Sequence, residues 1–262
     1  MKHDAMLGTP PSSVAFRDYP SSVAEAMDQA GAARLLDGVG RVVLKPNLVN
    51  ASPFPVTTPP ALCEAVIAFI RRHGAPEIII AEGCGDAMLE TDEVFARLGY
   101  DALAARCGVG LLDLNHAPLI VLEDPARPVF PVMHLPAILF DCLLISLPVL
   151  KAHSLADVTG SLKNMMGAAP PQYYGGRYGS WKKAAFHGRM QQSITDLVAY
   201  RPPDFAVMDA TVGLADYHLG GRWCDPPVNR ILAGGDPWEL DREAARLLGL
   251  DWRTIGHLAD RP

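Results

Sequence analysis

Three short motifs place a lysine next to another polar residue beside apolar segments: Lys45-Pro46-Asn47, Lys151-Ala152-His153 and Lys163-Asn164. A lysine drawn toward a buried cleft either binds an anion or has its pKa lowered so that it can act as a base. The alternative is that each lysine extends its ammonium group into solvent at the end of a strand. Three such lysines together favour one anion-binding cleft, in which they would neutralise a carboxylate or a phosphate.

The best candidate for acid–base chemistry is His153, two residues from Lys151. A neighbouring positive charge lowers the pKa of an imidazole, so we expect His153 to be neutral near pH 7 and able to accept a proton. The alternative is a structural histidine that is bonded to the backbone. Lys151 is a further catalytic candidate, as are Glu82 and Asp209, which each end an apolar run. His187, in a polar and aromatic segment before a helix, is assigned to substrate binding.

Amides and hydroxyls near the same motifs are suited to orienting an anion. Asn47 and Asn164 offer amide groups beside the lysines. Thr57 and Thr58 precede Pro59, and a threonine cap with proline in the first turn predicts a helix N-terminus, where free backbone N–H groups bind phosphate or carboxylate. We therefore assign all four of these polar residues to substrate binding.

Residue spacing assigns neither a metal site nor a cofactor. Glu82, His153, His187 and Asp209 are suitable metal ligands, but no pair has the His-x-x-x-His spacing, so no metal is assigned and the cofactor stays unknown. The five cysteines include no Cys-x-x-Cys pair, which is typical of reduced thiols rather than of disulfides or a ferredoxin-type cluster. Gly83-Cys84-Gly85 completes neither a P-loop nor a dinucleotide fingerprint.

The elements that must position these residues alternate between apolar strands and helices. Strands are predicted at 40–45, 77–82, 109–113, 142–147, 205–209 and 228–233, and helices at 21–36, 57–73, 91–98, 184–200 and 236–248. This alternation predicts an α/β fold, with a largely parallel central sheet, helices on both faces and a small β arm near 115–137. We treat residues 1–262 as a single α/β domain. Ligands bind outside the carboxyl ends of parallel strands, which is where the polar motifs lie.

Composition and charge limit the partners. The formal net charge of −6 over 262 residues argues against nucleic acid, because phosphate binding needs a basic face. The N-terminus has no continuous apolar segment of the signal-peptide type, and the most apolar stretch, 136–150, is too short to span a bilayer. We expect a cytoplasmic protein without a membrane partner, and a homo-oligomer is compatible with the sequence. The aromatic, glycine-rich loop at 170–179 is either a lid over the substrate or an exposed connection.

Five segments of the chain occur in an order that is typical of one family: "VLKPNLV", "TTPP", "LPVLKAHSLADVTGSLKNMMG", "DATVGL" and "LAGGDPWELDREAARLLG". From about Arg41 to Gly249 the chain resembles the domain of unknown function 362 family. Many relatives carry an appended ferredoxin-like segment with iron–sulfur cysteines, which this sequence does not contain. The segment "ADYHLGGRWCDPP" also replaces the acidic, Gly-Pro-rich version that the resemblance leads us to expect. The resemblance implies the fold and the characteristic positions Lys45, Asn47, Thr57, Lys151, His153, Lys163 and Asn164.

The residues favour an enzyme that acts on a small anionic metabolite by Lys/His acid–base chemistry. Proton abstraction next to a carboxylate, as in isomerisation, racemisation or elimination, suits this set, because paired cationic groups stabilise a developing enolate. Such an enzyme would be a lyase or an isomerase. Two alternatives stay open: a redox accessory protein that binds an external iron–sulfur cluster or flavin, and a non-catalytic anion-binding module.

Overall fold

The computed structural model describes residues 7–176 and 181–261, and a mixed parallel and antiparallel β-sheet forms its centre. The strands are β1 (Ser12–Ala15), β2 (Arg41–Pro46), β3 (Glu77–Glu82), β4 (Gly110–Asp113), β5 (Leu119–Glu123), β6 (Val132–Pro136), β7 (Leu143–Leu147), β8 (Val149–His153), β9 (Asp157–Thr159), β10 (Phe205–Leu214) and β11 (Arg230–Gly234). The helices are α1 (Tyr19–Gln29), α2 (Ala33–Leu36), α3 (Pro60–His73), α4 (Thr91–Arg97), α5 (Tyr100–Cys107), α6 (Ser161–Asn164), α7 (Pro171–Tyr174), α8 (Met190–Tyr200), α9 (Pro237–Leu247) and α10 (Gly256–Ala259).

The central sheet is mostly parallel, as the alternation of strands and helices predicts. Its order is β1-β11-β10-β7-β2-β3-β4, and the strands from β10 to β4 run parallel to one another. The strands β1 and β11 complete one edge in antiparallel pairing. β8 continues from β7 after Pro148 and pairs with β10 and β9. β5 and β6 form a separate antiparallel pair, which confirms the predicted β arm.

Helices cover both faces of the sheet. Because side chains alternate along each strand, successive residues are buried in two hydrophobic cores, one on each face. Val42 of β2 is buried with Val66 of α3 on one face, whereas the next residue, Val43, is buried with Ile194 of α8 on the other. This period of two explains why β2 is apolar at successive positions, since both of its faces are covered. The burial continues to Pro46, so the lysine and asparagine that follow the apolar run are held at the edge of the sheet.

The predicted threonine cap of α3 is wrong. The residue that caps the helix is Pro59, with no side-chain cap bond. The Thr57 hydroxyl donates instead to the Ser52 carbonyl at 2.6 Å, and the Thr58 hydroxyl donates to the Leu147 carbonyl at 2.6 Å. Both threonines therefore fasten the loop before the helix, because each hydroxyl donates to a carbonyl outside α3 and neither caps its N–H groups.

Two further expectations concern the surface. The predicted lid at 170–179 falls partly outside the described residues, which leave out 177–180. Its first part forms the short helix α7, where the Tyr174 hydroxyl accepts a hydrogen bond from the backbone N–H of His134 at 2.8 Å. Within 7–176 and 181–261, no helix has the length and apolar character needed to cross a membrane.

Candidate functional site

A cavity of about 220 Å³ lies at the C-terminal ends of β2 and β3, beside β8 and α6. The parallel strands bring distant parts of the chain together here; Lys151, for example, contacts Asn47 across 104 positions. Lys45 lies behind Glu82, with which it forms an ion pair. Seven of the residues that the sequence analysis assigns to the site line this cavity: Asn47, Glu82, Lys151, His153, Lys163, Asn164 and His187.

The floor of the cavity consists of Lys45, Glu82 and Asn164, all buried. Lys45 Nζ donates to the two Glu82 oxygens at 2.8 and 3.0 Å and to Asn164 Oδ1 at 3.2 Å. The Glu82 carboxylate also accepts backbone N–H bonds from Leu48 at 3.1 Å and Gly83 at 2.8 Å. A buried ion pair is stable only when such additional hydrogen bonds satisfy both partners. The floor is therefore a closed unit whose two charges cancel.

Close backbone packing seals this floor. A Cβ atom at Gly167 would lie 1.9 Å from Glu82 Oε1 and 2.6 Å from Lys45 Nζ, so only glycine fits. Asn164 Nδ2 donates to the Lys45 carbonyl at 3.0 Å and to Ser146 Oγ at 3.0 Å. These contacts tie the segment after α6 to β2 and β7, and thereby fix the distance between the floor and the rest of the site.

The wall of the cavity carries further cationic and imidazole groups, among them Lys151, His153, Lys163 and Lys183. Lys151 is buried, and its Nζ donates to Asn47 Oδ1 at 2.9 Å and to the Val56 carbonyl at 2.6 Å. Both acceptors are uncharged. Burial, followed by the charge of Lys163, lowers the pKa of Lys151 to about 7. Two acceptors use the two hydrogens of a neutral amine and leave its lone pair free for a proton.

His153 is held as a hydrogen-bond donor. Its Nδ1 accepts backbone N–H bonds from Leu155 at 3.0 Å and Ala156 at 3.1 Å. A neutral imidazole has one N–H, so this network assigns the proton to Nε2. Burial, followed by the charge of Lys163, lowers the pKa of His153 to about 2. The ring is therefore neutral, as the sequence analysis expects, but the backbone bonds occupy the nitrogen that would accept a proton.

A second histidine, His218, belongs to the same region. Its ring stacks on His153, with centroids 3.8 Å apart, and it lines the cavity. Burial, followed by the charge of Lys163, lowers the pKa of His218 to about 3. The sequence analysis did not select this residue, because it lies in an irregular loop without a recognisable motif.

The Lys163 ammonium group has no hydrogen bond or ion pair among the described residues that surround it. Burial, followed by the charge of Lys45, lowers the pKa of Lys163 to about 8. Its helix, α6, is anchored by the buried Asp241, which accepts the N–H groups of Ser161 at 2.6 Å and Leu162 at 2.9 Å. Asp241 was not identified from the sequence, although it lies in the "DPWELDREAA" segment of the family resemblance.

Lys183 is the most important residue that the sequence analysis missed. It is buried at the cavity, and its Nζ donates to Asn115 Oδ1 and to the Ala169 carbonyl. Burial lowers the pKa of Lys183 to about 7. The chain has only six lysines against 17 arginines, and four of the six form the floor and wall of this cavity. That scarcity is the signal that would have identified Lys183.

The structure does not bring Asp209, a catalytic candidate from the sequence, into the cavity. The predicted strand ends at residue 209, but β10 continues to Leu214 because it pairs first with β7 and then with β8. Asp209 therefore lies within the strand. Its carboxylate accepts bonds from the Tyr19 hydroxyl at 2.7 Å and from the Thr211 N–H at 2.9 Å. It ties α1 to the sheet.

Thr57 and Thr58, which the sequence analysis assigns to substrate binding, also do not line the cavity. Thr58 acts indirectly: its Oγ1 accepts the backbone N–H of Asn47 at 2.8 Å and so positions the residue that contacts Lys151. His187 lines the cavity, and its side chain as a whole is exposed. Partial burial of the ring, followed by the charge of Lys163, lowers the pKa of His187.

The described residues contain one group of three side chains with a geometry suited to a metal ion, Glu90, Asp113 and His116, whose ligand atoms lie within 4.8 Å of one another. This group is mostly exposed, and Glu90 already pairs with Lys182 at 2.8 Å. The candidate ligands from the sequence, which include Glu82 and His153, do not form such a group. We assign no metal to either place.

The fold and the site define an α/β protein with a cationic cavity at the carboxyl edge of a parallel sheet. A family model described as "Domain of unknown function (DUF362)" matches residues 42–246, and the chain belongs to this family. No curated protein matches the chain. A solved structure described as "Structure of the lactate racemase apoprotein from Thermoanaerobacterium thermosaccharolyticum" is similar in fold, with a TM-score of 0.55 and 12% identity. The similarity covers 96% of this chain and 58% of that chain.

Proposed function

We propose that this protein is an enzyme that moves a proton at the carbon next to the carboxylate of a small anionic substrate, in an isomerisation, a racemisation or an elimination. The observation that supports this most directly is that a lysine with a free lone pair, Lys151, and a histidine with a free N–H, His153, line the same cavity. Together they supply a base and a donor to a developing oxyanion.

Lys151 is the proposed base. A pKa of about 7 leaves a large fraction of the amine unprotonated at neutral pH, which is the range in which a general base is most effective. The bonds to Asn47 and Val56 hold the amine in place. This assigns to Lys151 the role of proton acceptor that the sequence analysis expected of His153, since the backbone occupies Nδ1 of that ring.

Lys163 is the proposed anchor for the substrate carboxylate, because its ammonium group has no counter-charge at the cavity. When Lys151 takes the proton from the α-carbon, the electron pair of the broken C–H bond moves into the carboxylate and gives an enediolate. Lys163 and the Nε2–H of His153 stabilise the negative charge on its oxygens. Return of a proton to the carbon completes an exchange, and loss of a leaving group from the next carbon completes an elimination.

The fold similarity to a lactate racemase apoprotein supports a small carboxylate as the class of substrate. Because this chain spans 58% of that structure at 12% identity, the similarity supports the fold and the class of substrate rather than a particular reaction. The roles of Lys151, His153 and Lys163 are therefore assigned from the contacts and charges in this chain's own cavity.

The test follows hydrogen exchange at the α-carbon. The protein is incubated in D₂O with lactate or with malate, and loss of the Cα–H signal is followed by NMR. We expect exchange in the wild type, and a decrease by a factor of about 10²–10⁴ in Lys151→Met, which is the usual contribution of a general base. The control is Lys182→Met, because Lys182 points to Leu89 and Glu90 outside the cavity.

Unchanged exchange in Lys151→Met would contradict the assignment of the base. If an acid raises the melting temperature of the wild type but undergoes no exchange, the non-catalytic binding module is the better description.

A further inference from the structure

We infer that the substrate of this site carries a second anionic group, a carboxylate or a phosphate, which Lys183 binds at the end of the cavity away from Lys151. This inference rests on the proposed function for the reacting end of the substrate. It narrows the substrate class from small carboxylates in general to short dianions.

The two lysines lie at different places along the edge of the sheet. Lys151 Nζ is bonded to Asn47, which follows β2, whereas Lys183 Nζ is bonded to Asn115, which follows β4. β3 lies between these strands. Since neighbouring strands are about 4.8 Å apart, the strands that precede the two asparagines are separated by roughly 10 Å. A ligand with an anionic group at each end can therefore pair with both lysines.

The end of the cavity near Lys183 has a buried cation on which the Glu82 and Asp113 charges act only from beyond ion-pair distance. The nearest carboxylate of the floor, Glu82, is bound by Lys45. The Asp113 carboxylate already accepts the N–H of Asn115, and Lys183 forms no ion pair within 7–176 and 181–261. A buried ammonium group without an ion-pair partner is costly, and burial accordingly lowers the pKa of Lys183 to about 7. An anionic group from the ligand would supply the missing charge.

The other end has its own anchor. Lys163 lies in α6, which follows β9, and β9 pairs with the segment of β8 that contains Lys151 and His153, so Lys163 lies at their end of the cavity. The neutral floor separates the two cationic ends. The cavity volume of about 220 Å³ equals roughly seven water molecules, which suits a short chain with an anionic group at each end.

The test compares pairs of ligands that share a reacting end and differ in the distant charge. Malate is compared with its 4-amide, which has the same size and one charge less, and 3-phosphoglycerate with glycerate. Dissociation constants are measured by calorimetry on the wild type, Lys183→Met and Lys182→Met. We expect malate or 3-phosphoglycerate to bind the wild type at least about tenfold more tightly than its partner. We expect the preference to disappear in Lys183→Met and to persist in Lys182→Met.

The two pairs separate the two sources of charge, because a preference within only one pair identifies the second group as carboxylate or phosphate. Equal binding within both pairs by the wild type overturns the inference, whether or not Lys183→Met folds. Equal weakening of all ligands in Lys183→Met also overturns it, since Lys183 would then act at the reacting end. A charge preference without α-proton exchange contradicts the proposed function alone, and exchange without the preference contradicts the inference alone.

Discussion

Lys45 near the end of β2 and Lys151 in β8, which continues from the neighbouring strand β7, are equally buried, with 0% and 1% of their surface exposed, yet their ammonium groups have different partners. In the floor, Lys45 faces the Glu82 carboxylate. In the wall, Lys151 faces only the uncharged oxygens of Asn47 and Val56. Burial lowers the pKa of both lysines. At Lys45 the hydrogen-bonded Glu82 carboxylate opposes this shift and holds the lysine in a structural ion pair, whereas the neutral acceptors of Lys151 leave that amine available for chemistry.

The largest expected effect of this difference is on stability. Lys45→Met leaves the Glu82 carboxylate buried without a cation, and we expect the free energy of unfolding to fall by about 3–5 kcal/mol. The same change at Lys151 removes a group with neutral partners only and should cost less than half as much. Denaturant unfolding measures both. A second change, Glu82→Gln, in the Lys45→Met background should recover part of the loss; equal losses at Lys45 and Lys151 would remove the distinction between floor and wall.

A smaller effect is expected at the support of the wall. Asp241→Asn removes one of the two acceptor oxygens for the N–H groups of Ser161 and Leu162, and we expect a loss of about 1–3 kcal/mol in unfolding free energy. Because α6 carries Lys163, the change should also raise KM more than it lowers kcat. The exposed Asp251 is a control, and Asp251→Asn should change stability by less than about 0.5 kcal/mol. An unaltered KM in a folded Asp241→Asn protein would limit Asp241 to a structural role.

The mildest test is the dependence on pH. In the proposed mechanism Lys151 must lose its proton and Lys163 must keep one, so kcat/KM should rise through pH about 7 and fall through about 8. Lys163, Lys183 and His153 line the cavity with Lys151; Lys163 and Lys183 titrate in a similar range, whereas His153 does not. The rising limb should disappear, together with nearly all activity, in Lys151→Met. A flat profile between pH 6 and 9 would contradict the assignment.

The free energy of unfolding should also depend on pH, because Lys151 and Asp241 have shifted pKa values in the folded protein. The pKa of Lys151 is lowered in the folded protein, so the unfolded chain binds more protons between pH about 7 and the ordinary value of 10.5. The free energy of unfolding should therefore rise with pH across this window. The raised pKa of Asp241, about 7, acts in the opposite direction, but its window lies below pH 7. Denaturant midpoints at pH 7 and pH 9 measure the slope, which Lys151→Met should reduce.

Much of the site was predictable because it follows from local patterns. Apolar runs end at Lys45, Glu82 and Lys151, and the carboxyl ends of parallel strands meet at one edge, so their convergence needed only the fold class. The errors have a local cause too. Thr57 and Thr58 have the residue types of helix caps, but nearby carbonyls compete for their hydroxyls.

The sequence by itself determined the strands, the mostly parallel sheet, the β arm and the polar residues that reach its carboxyl edge. Only the tertiary structure decided which lysine is paired with a carboxylate. Lys45 meets Glu82 across 37 positions and Asn164 across 119, and Lys183 meets Asn115 across 68. Such contacts depend on how strands and loops pack, not on neighbours in the chain. The physical reason is that the pKa and the role of a buried lysine are set by the groups around it, and folding chooses those groups.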